Sequence, residues 1–403
     1  MGLRGEAAIV GIAELRPERK PQREPRFTIE QWALLSKQAL DDAGLRAEMV
    51  DGLVTAGIAE SAMFAPATVS EYLGIPVNFA EHVDLGGATG AGMIWRAAAA
   101  VELGIADVVL CALPSSPVPP APVSQPPASA ARGRWQFGAS SSRYGSPQAE
   151  FEIPYGSLAQ NAPYAMIAQR YAAEFGYDPR ALAKIAVDQR ANACANPAAI
   201  FYGKPITIED VLASPMVADP LHLLEIVMPC AGGAAVVVAN ADIARGTRHR
   251  PVWIRGFGER LDAKTPTYAK DMVRTPIADA ARHAFEMAAV TPADIDMVSV
   301  YDCYTITVLM TLEDAGFCGK GKGADFISSH DLTFRGDFPC NTHGGQLSFG
   351  QPGLAGGMSH VCDAARQIQA RSGENQVADC HRAFVTGNGG IMSEQVGLVL
   401  QGD

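Results

Sequence analysis

The chain has 403 residues, 48% of them apolar, enough for two domain-sized cores or one large one. Its formal net charge of -11 argues against nonspecific binding to nucleic acid or to an anionic membrane surface. No apolar run reaches the length of a membrane span, Met1-Gly2-Leu3-Arg4-Gly5-Glu6 lacks a signal-peptide core, and the eight cysteines form no CxxC pair, so the expected setting is a reducing cytoplasm with free thiols and no metal site.

Residues 8–12 read as a strand. Thr28 is placed to cap the next helix, with Gln31 completing a capping box and Gly44 ending it. Residues 52–56 form the second strand. A sharp strand-to-helix elbow follows at Val83-Asp84-Leu85-Gly86-Gly87-Ala88-Thr89-Gly90, and its helix runs over about 89–103. A side chain at such an elbow projects into a cleft at a helix N-terminus, where anions are favoured and many enzymes keep a nucleophile. Position 87 holds glycine, so the elbow is intact and the nucleophile is missing. Residues 107–111 form a third buried strand. Continuous apolar strands separated by helices predict a mostly parallel sheet covered on both faces.

The alternation then stops. Residues 114–148 are rich in Pro, Ser and Ala, as in Ser116-Pro117-Val118-Pro119-Pro120-Ala121-Pro122, and predict an extended excursion. Helices follow over about 163–174 and 179–196, and residues 234–238 return to the first sheet. The second half repeats the plan. It has a strand at 252–256, a helix opened by Thr275-Pro276, and a strand at 297–301 running straight into another helix. A Gly-rich segment, 344–357, leads into a helix ending near Arg371, and strands at 383–385 and 396–400 finish the sheet. The fold class is α/β, as a duplicated five-layer α/β/α/β/α architecture with an inserted loop region. Residues 1–113 and 197–248 make the N-terminal half, 114–196 the insertion and 249–403 the C-terminal half.

In the order of its motifs the chain resembles thiolases of the sterol-carrier-protein type, over essentially its whole length. The elbow resembles the family's V-N-N-N-C-S-T-G. Val217-Ala218-Asp219-Pro220-Leu221 and Gly232-Gly233-Ala234-Ala235 are similar to its mid-chain landmarks. Val300-Tyr301-Asp302-Cys303-Tyr304 stands where the family has V-H-D-C-F, Asn341-Thr342-His343-Gly344-Gly345 where it has N-P-S-G-G, and Gly350-Gln351-Pro352 where it has G-H-P. Thr386-Gly387-Asn388-Gly389-Gly390 is similar to the region of its C-terminal cysteine and glycine loop. The resemblance implies a thiolase-like fold, a coenzyme A thioester as substrate, no further cofactor and a homodimer.

In a thiolase the elbow cysteine takes up an acyl group, the G-H-P histidine activates it, and a second cysteine moves the α-proton. The resemblance assigns those positions to Gly87, Gln351 and Thr386. Glycine offers no nucleophile and glutamine no base, which closes the usual covalent route. What remains is a thioester pocket with backbone donors at Gly87 and around Gly389-Gly390, suited to stabilising an enolate. This pattern resembles the steroid side-chain aldolases, which cleave a β-hydroxyacyl-CoA by retro-aldol chemistry with a small OB-fold, zinc-ribbon partner protein. They carry a tyrosine where Tyr301 stands, and usually a second one where this chain has Gln351.

Three catalytic candidates follow. Tyr301 is the base for the β-hydroxyl, which then releases a carbonyl product and acetyl- or propionyl-CoA. His343, where the family has serine, faces the cleft from a loop as a proton donor or base. Gln351 hydrogen-bonds the thioester carbonyl or a water. Gly87, Asn388, Gly389, Gly390 and Cys303 line the substrate. Cys303 is also the best remaining thiol, with a buried core role as its ordinary reading. Lys320-Gly321-Lys322-Gly323 is a solvated loop within possible reach of the CoA phosphates, and no nucleotide-binding loop is present. Two alternatives stay open: an acyltransferase or thiolase with an atypical active site, and an inactive acyl-CoA-binding subunit.

Overall fold

The computed structural model describes residues 5–19, 26–61, 63–115, 150–157 and 160–403. Most of the expected excursion, residues 116–149, lies outside them. The strands are β1 (Ala7–Glu18), β2 (Gly52–Thr55), β3 (Phe79–His82), β4 (Val108–Ser115), β5 (Met216–Ala218), β6 (Leu221–His222), β7 (Ala231–Asn240), β8 (Val252–Leu261), β9 (Met297–Ser299), β10 (Arg382–Gly389) and β11 (Glu394–Gln401). All but the small β5–β6 hairpin join one sheet in the order β3-β2-β4-β7-β1-β8-β11-β10-β9.

That order contains the same half twice. The first half runs β3-β2-β4-β7-β1. The second runs β9-β10-β11-β8, and a parallel bridge between Val298 and Cys340 adds the counterpart of β3. Within the sheet, among the described residues, the halves are joined where Ala8 pairs with Trp253 and Ile9 with Val252. The sheet is mixed rather than mostly parallel: β2 is parallel to β3 and β4, and β9 to β10, while every other pairing is antiparallel. Burial on both faces makes apolar runs whatever the strand direction. Direction is set by the connections, and a tight hairpin such as β10–β11 permits only the antiparallel one.

The main helices are α1 (Thr28–Ala43), α2 (Ala65–Leu73), α3 (Thr89–Glu102), α4 (Asn161–Phe175), α5 (Pro179–Ala195), α6 (Ile277–Ala288), α7 (Thr305–Asp314), the short α8 (Gly345–Ser348) and α9 (Ala355–Ile368). The two-residue period of the strands distributes side chains between layers. Val10, Leu110 and Val237 pack with Trp32 and Leu35 of α1. Ile9, Cys111 and Val236 pack instead with Met93 and Ile94 of α3 and Met358 and Val361 of α9. Val385 and Leu398 of the second half join that same central core, while Phe384 and Val399 turn to α6 and α7. The result is α/β/α/β/α with α3 and α9 as the shared middle layer. Helices α4 and α5, from the insertion, pack onto α7 through Ile167, Leu182 and Leu309.

One detail of α1 differs from expectation. Thr28 is its first helical residue rather than its cap. Glu30, not Gln31, closes the turn by accepting from Phe27 N–H at 2.9 Å, and the Gln31 amide donates to Arg26 O at 3.2 Å. Gly44 ends the helix in the left-handed region, at φ 75°, where glycine carries no Cβ penalty. Among the described residues no helix is long and apolar enough to cross a membrane.

Candidate active site

The elbow forms as read. After β3, Gly86–Ala88 makes a single 3-10 turn and α3 begins at Thr89, whose hydroxyl accepts from Leu85 N–H at 3.0 Å. Gly86 rests on the C-terminal glycine loop: a Cβ there would stand 3.2 Å from Gly390 N and 3.3 Å from Gly389 Cα. At Gly87 a Cβ would fall 2.2 Å from Tyr301 Oη, 2.4 Å from its Cζ and 2.3 Å from Asn388 O. The phenol therefore fills the place of the absent elbow side chain. Close approach demands glycine here, not backbone torsion.

The two middle helices meet at the same point. A Cβ on Gly90 would lie 2.5 Å from Met358 N, and one on Gly357 would lie 2.3 Å from Gly87 O. These residues sit in the first turns of α3 and α9, so two helix N-termini, each with a positive dipole end, converge beside Tyr301.

Tyr301 lies just beyond β9 and is 3% exposed. Its N–H donates to Thr386 Oγ1 at 3.0 Å, and its carbonyl accepts from Thr307 Oγ1 at 3.3 Å. Gln351 Nε2 donates to the phenol oxygen across 3.4 Å. Burial, then the neighbouring Cys303 and Asp302, push the phenol well above its ordinary pKa; the Gln351 and Gln346 amides pull the other way without offsetting this. Tyr301 is neutral at rest.

Asn388 is committed inside the protein. Its amide nitrogen donates to Tyr164 Oη at 3.0 Å and reaches Cys303 Sγ at 3.6 Å and Met392 Sδ at 3.7 Å. Its side-chain oxygen accepts from Gln395 Nε2 at 2.9 Å. Tyr164 in turn stacks on Tyr304 at 4.2 Å between centroids. Burial, above all, pushes the Cys303 thiol up to about 12, so no thiolate is at hand for attack.

The structure thus gathers Gly87, Tyr301, Cys303, Gln351, Asn388, Gly389 and Gly390. His343 stands apart, and the expectation that it faces the cleft is corrected. Its imidazole is buried against α9, with Nδ1 3.0 Å from Asp363 Oδ2 at an angle poor for a hydrogen bond. Burial lowers the His343 pKa, but Asp363 outweighs it and the net direction is up. Asp363, despite burial, is held below the usual carboxylate range by His343 and by the Thr342 hydroxyl at 3.0 Å. The two form a charged, enclosed pair.

His360 bridges the gap. Its ring lies 6.0 Å from that of Tyr301 and 5.2 Å from that of His343. Nδ1 is 2.9 Å from Ser299 Oγ, and Nε2 is 3.1 Å from Asp302 Oδ1. Asp302 also anchors α8, accepting from Gln346 N–H at 2.9 Å and Leu347 N–H at 3.2 Å. Sequence reading missed His360 and Asp363. The one available signal was two ionisable residues three apart in a helix between apolar strands. Lys320 is also less free than a solvated loop implies: its ammonium lies 3.2 Å from Glu313 and 2.9 Å from Asp314.

Residues 258–402 match the thiolase C-terminal domain-like family. Over 100% of its length the chain is 34% identical to a steroid side-chain-cleaving aldolase of Thermomonospora curvata, covering 99% of that protein. It is 33% identical to a 17-hydroxy-3-oxo-4-pregnene-20-carboxyl-CoA lyase of Mycobacterium tuberculosis, over 99% of this chain and all of that one. A solved Ltp2-ChsH2(DUF35) aldolase superposes with a TM-score of 0.84 at 32% identity, covering 100% of this chain and 99% of that chain.

Proposed function

Because the chain belongs to the thiolase superfamily, and its most similar relatives include an aldolase and a carboxyl-CoA lyase, we propose that it is a carbon–carbon lyase cleaving a β-hydroxyacyl-CoA by retro-aldol chemistry. One observation carries the reading: the phenol of Tyr301 occupies the volume of the missing elbow side chain. A site built this way has a proton-handling oxygen where its thiolase relatives have a nucleophile.

In this reading the thioester lies against Gly87 and the Gly389-Gly390 turn, its carbonyl near the converging starts of α3 and α9. The resting phenol first loses its own proton to solvent, and the β-hydroxyl proton then passes to the phenolate oxygen of Tyr301. The electron pair of that O–H becomes the C=O of the departing aldehyde or ketone, and the Cα–Cβ pair becomes the thioester enolate. The same proton then returns to Cα, giving acetyl- or propionyl-CoA and restoring the phenolate. Donors preorganised toward the enolate oxygen stabilise the charge as it forms. Gln351 and Gln346 carry the phenolate oxygen through the cycle. Burial keeps the phenolate fraction small at neutral pH. His343 acts at a remove, through Asp363 and His360. No step needs a further cofactor.

Acyl transfer through Cys303 has little support, since that thiol is buried and its pKa is driven up to about 12. The Ltp2-ChsH2(DUF35) aldolase is named with a DUF35 component, and we extend to this chain a small OB-fold, zinc-ribbon partner. A homodimer through the edge strand β3 is the companion proposal.

The test is product analysis. Wild-type protein, with its partner, releases a carbonyl compound and a shortened acyl-CoA from a β-hydroxyacyl-CoA. Tyr301→Phe loses about 10²–10⁴-fold in turnover while keeping its thermal unfolding midpoint. Undiminished turnover in that variant rejects the role of Tyr301.

A further inference from the structure

Ser299, Thr342, Gln346 and His360 are fully buried, and Asp363 nearly so. Polar groups in such a place are costly unless donors meet acceptors, so each hydrogen bond runs in the direction its neighbours dictate. Asp363 is the fixed end. Held ionised beside His343, it can only accept. Thr342 is obliged to donate to it, because the Thr342 oxygen already accepts from Gln367 Nε2 at 2.8 Å. Ser299 Oγ stands 3.4 Å from Asp363 Oδ2 and 2.9 Å from His360 Nδ1. Its one hydrogen goes to the charged acceptor, the carboxylate. Ser299 therefore accepts from His360, and Nδ1 carries the ring proton.

The opposite ring nitrogen, Nε2, is then an acceptor, and Gln346 Nε2 lies 3.3 Å from it. The same amide donates to the phenol oxygen of Tyr301. An NH₂ group has one hydrogen for each. The amide oxygen, buried without a partner, fills the space that Gly356 leaves open: a Cβ there would fall 2.6 Å from it. Turning the amide over would bury two unpaired donors in place of one unpaired acceptor, and would point its oxygen at the phenol. Asp302 Oδ1 also lies 3.1 Å from His360 Nε2, at an angle poor for a hydrogen bond, and it accepts from the Gln346 backbone N–H at 2.9 Å.

We propose that His360 is a positioning residue for the cleavage: its bare Nε2 keeps the N–H end of Gln346 on Tyr301 Oη, where the phenolate needs a donor. The proposal rests on the retro-aldol reading, in which that oxygen is the base. It also gives the enclosed His343–Asp363 pair a task. The pair anchors the series Asp363, Ser299, His360, Gln346, Tyr301 and decides which way every bond in it runs.

Variants of the full chain, with its partner, are compared on a β-hydroxyacyl-CoA. His360→Leu leaves Gln346 without its acceptor; it lowers kcat by about ten-fold or more and leaves KM within about two-fold. His360→Gln, whose side-chain oxygen reaches toward the place of Nε2, restores most of that loss. Ser299→Ala, one oxygen smaller and mild toward folding, frees the ring to take either tautomer and lowers kcat by about three-fold or more. In a Gln346→Met background each of these changes costs less than about two-fold, because the amide they orient is gone. Losses that persist undiminished in that background come from the fold alone and overturn the proposal. A second readout needs no turnover: the ring-nitrogen NMR spectrum of protein carrying nitrogen-labelled histidine, with the His360 signals identified by their loss in His360→Leu. A protonated Nδ1 and a bare Nε2 in the wild type uphold the proposal, and a proton on Nε2 overturns it. If the wild type cleaves no β-hydroxyacyl-CoA, the lyase reading falls, and the nitrogen signals alone judge the orientation of His360.

Discussion

Glycine at 87 and tyrosine at 301 are one device, because the phenol fits only where position 87 carries no side chain. A cysteine at 87 would drive its Cβ to within 2.2 Å of the phenol oxygen and 2.3 Å of the Asn388 carbonyl. Gly87→Cys is therefore expected to destabilise the protein by about 1–3 kcal/mol through overpacking. It should abolish cleavage and form no acyl-enzyme, as read by thermal unfolding and intact mass after incubation with an acyl-CoA. A clean acyl adduct on that cysteine would show that the phenol moves away easily. Reversal toward covalent chemistry thus needs both positions to change together. The missing nucleophile was legible in the sequence because a glycine elbow has a strong local pattern. That the phenol of Tyr301 fills its place was not legible, since the contact joins residues more than two hundred positions apart; the resemblance pointed to Tyr301 only as a base.

At the scale of elements, the α9 helix ties the loop before α8 to the core through a buried ion pair. His343 titrates above its ordinary 6.5, so its contribution to stability is full below pH 6.5 and is lost as pH rises through the elevated value. Asp363 titrates below 3.8, so its contribution is present above that pH and is lost as pH falls through the depressed value. The unfolding midpoint of the wild type should fall as pH is raised above 6.5. His343→Ala should be less stable by about 3–5 kcal/mol near neutral pH, because it leaves a buried carboxylate unpaired, and should lack that alkaline decline. An identical pH dependence in both proteins would remove the pair as its cause. Strands were legible where both faces are covered, as at Val108–Ser115 and Ala231–Asn240, which read as apolar runs. Their directions were not, and neither was the bridge at Cys340 that completes the second half. His360 and Asp363 escaped notice because polar residues three apart in a helix look like a solvated stripe, whereas this stripe faces a closed network.

The whole molecule is a duplicated unit closed around a shared middle layer, and its reactive groups are divided between the copies. Gly87 comes from the first half; Tyr301, Gln351 and Asn388 come from the second. The sheet link between them is two residue pairs, so cohesion resides chiefly in Met93, Ile94 and Ala97 of α3 packed with Met358 and Val361 of α9. The consequence is that the chain lends itself to fragment complementation. Severed between Arg248 and His249, the two pieces each retain a half-sheet and one of the middle helices. Co-expressed, they should reassemble, co-purify and recover retro-aldol turnover, while either piece alone stays inert. Turnover by a solitary piece would mean that the reactive groups are not partitioned in this way. With that partition, the recovered rate becomes a direct reporter of how tightly the halves clasp each other.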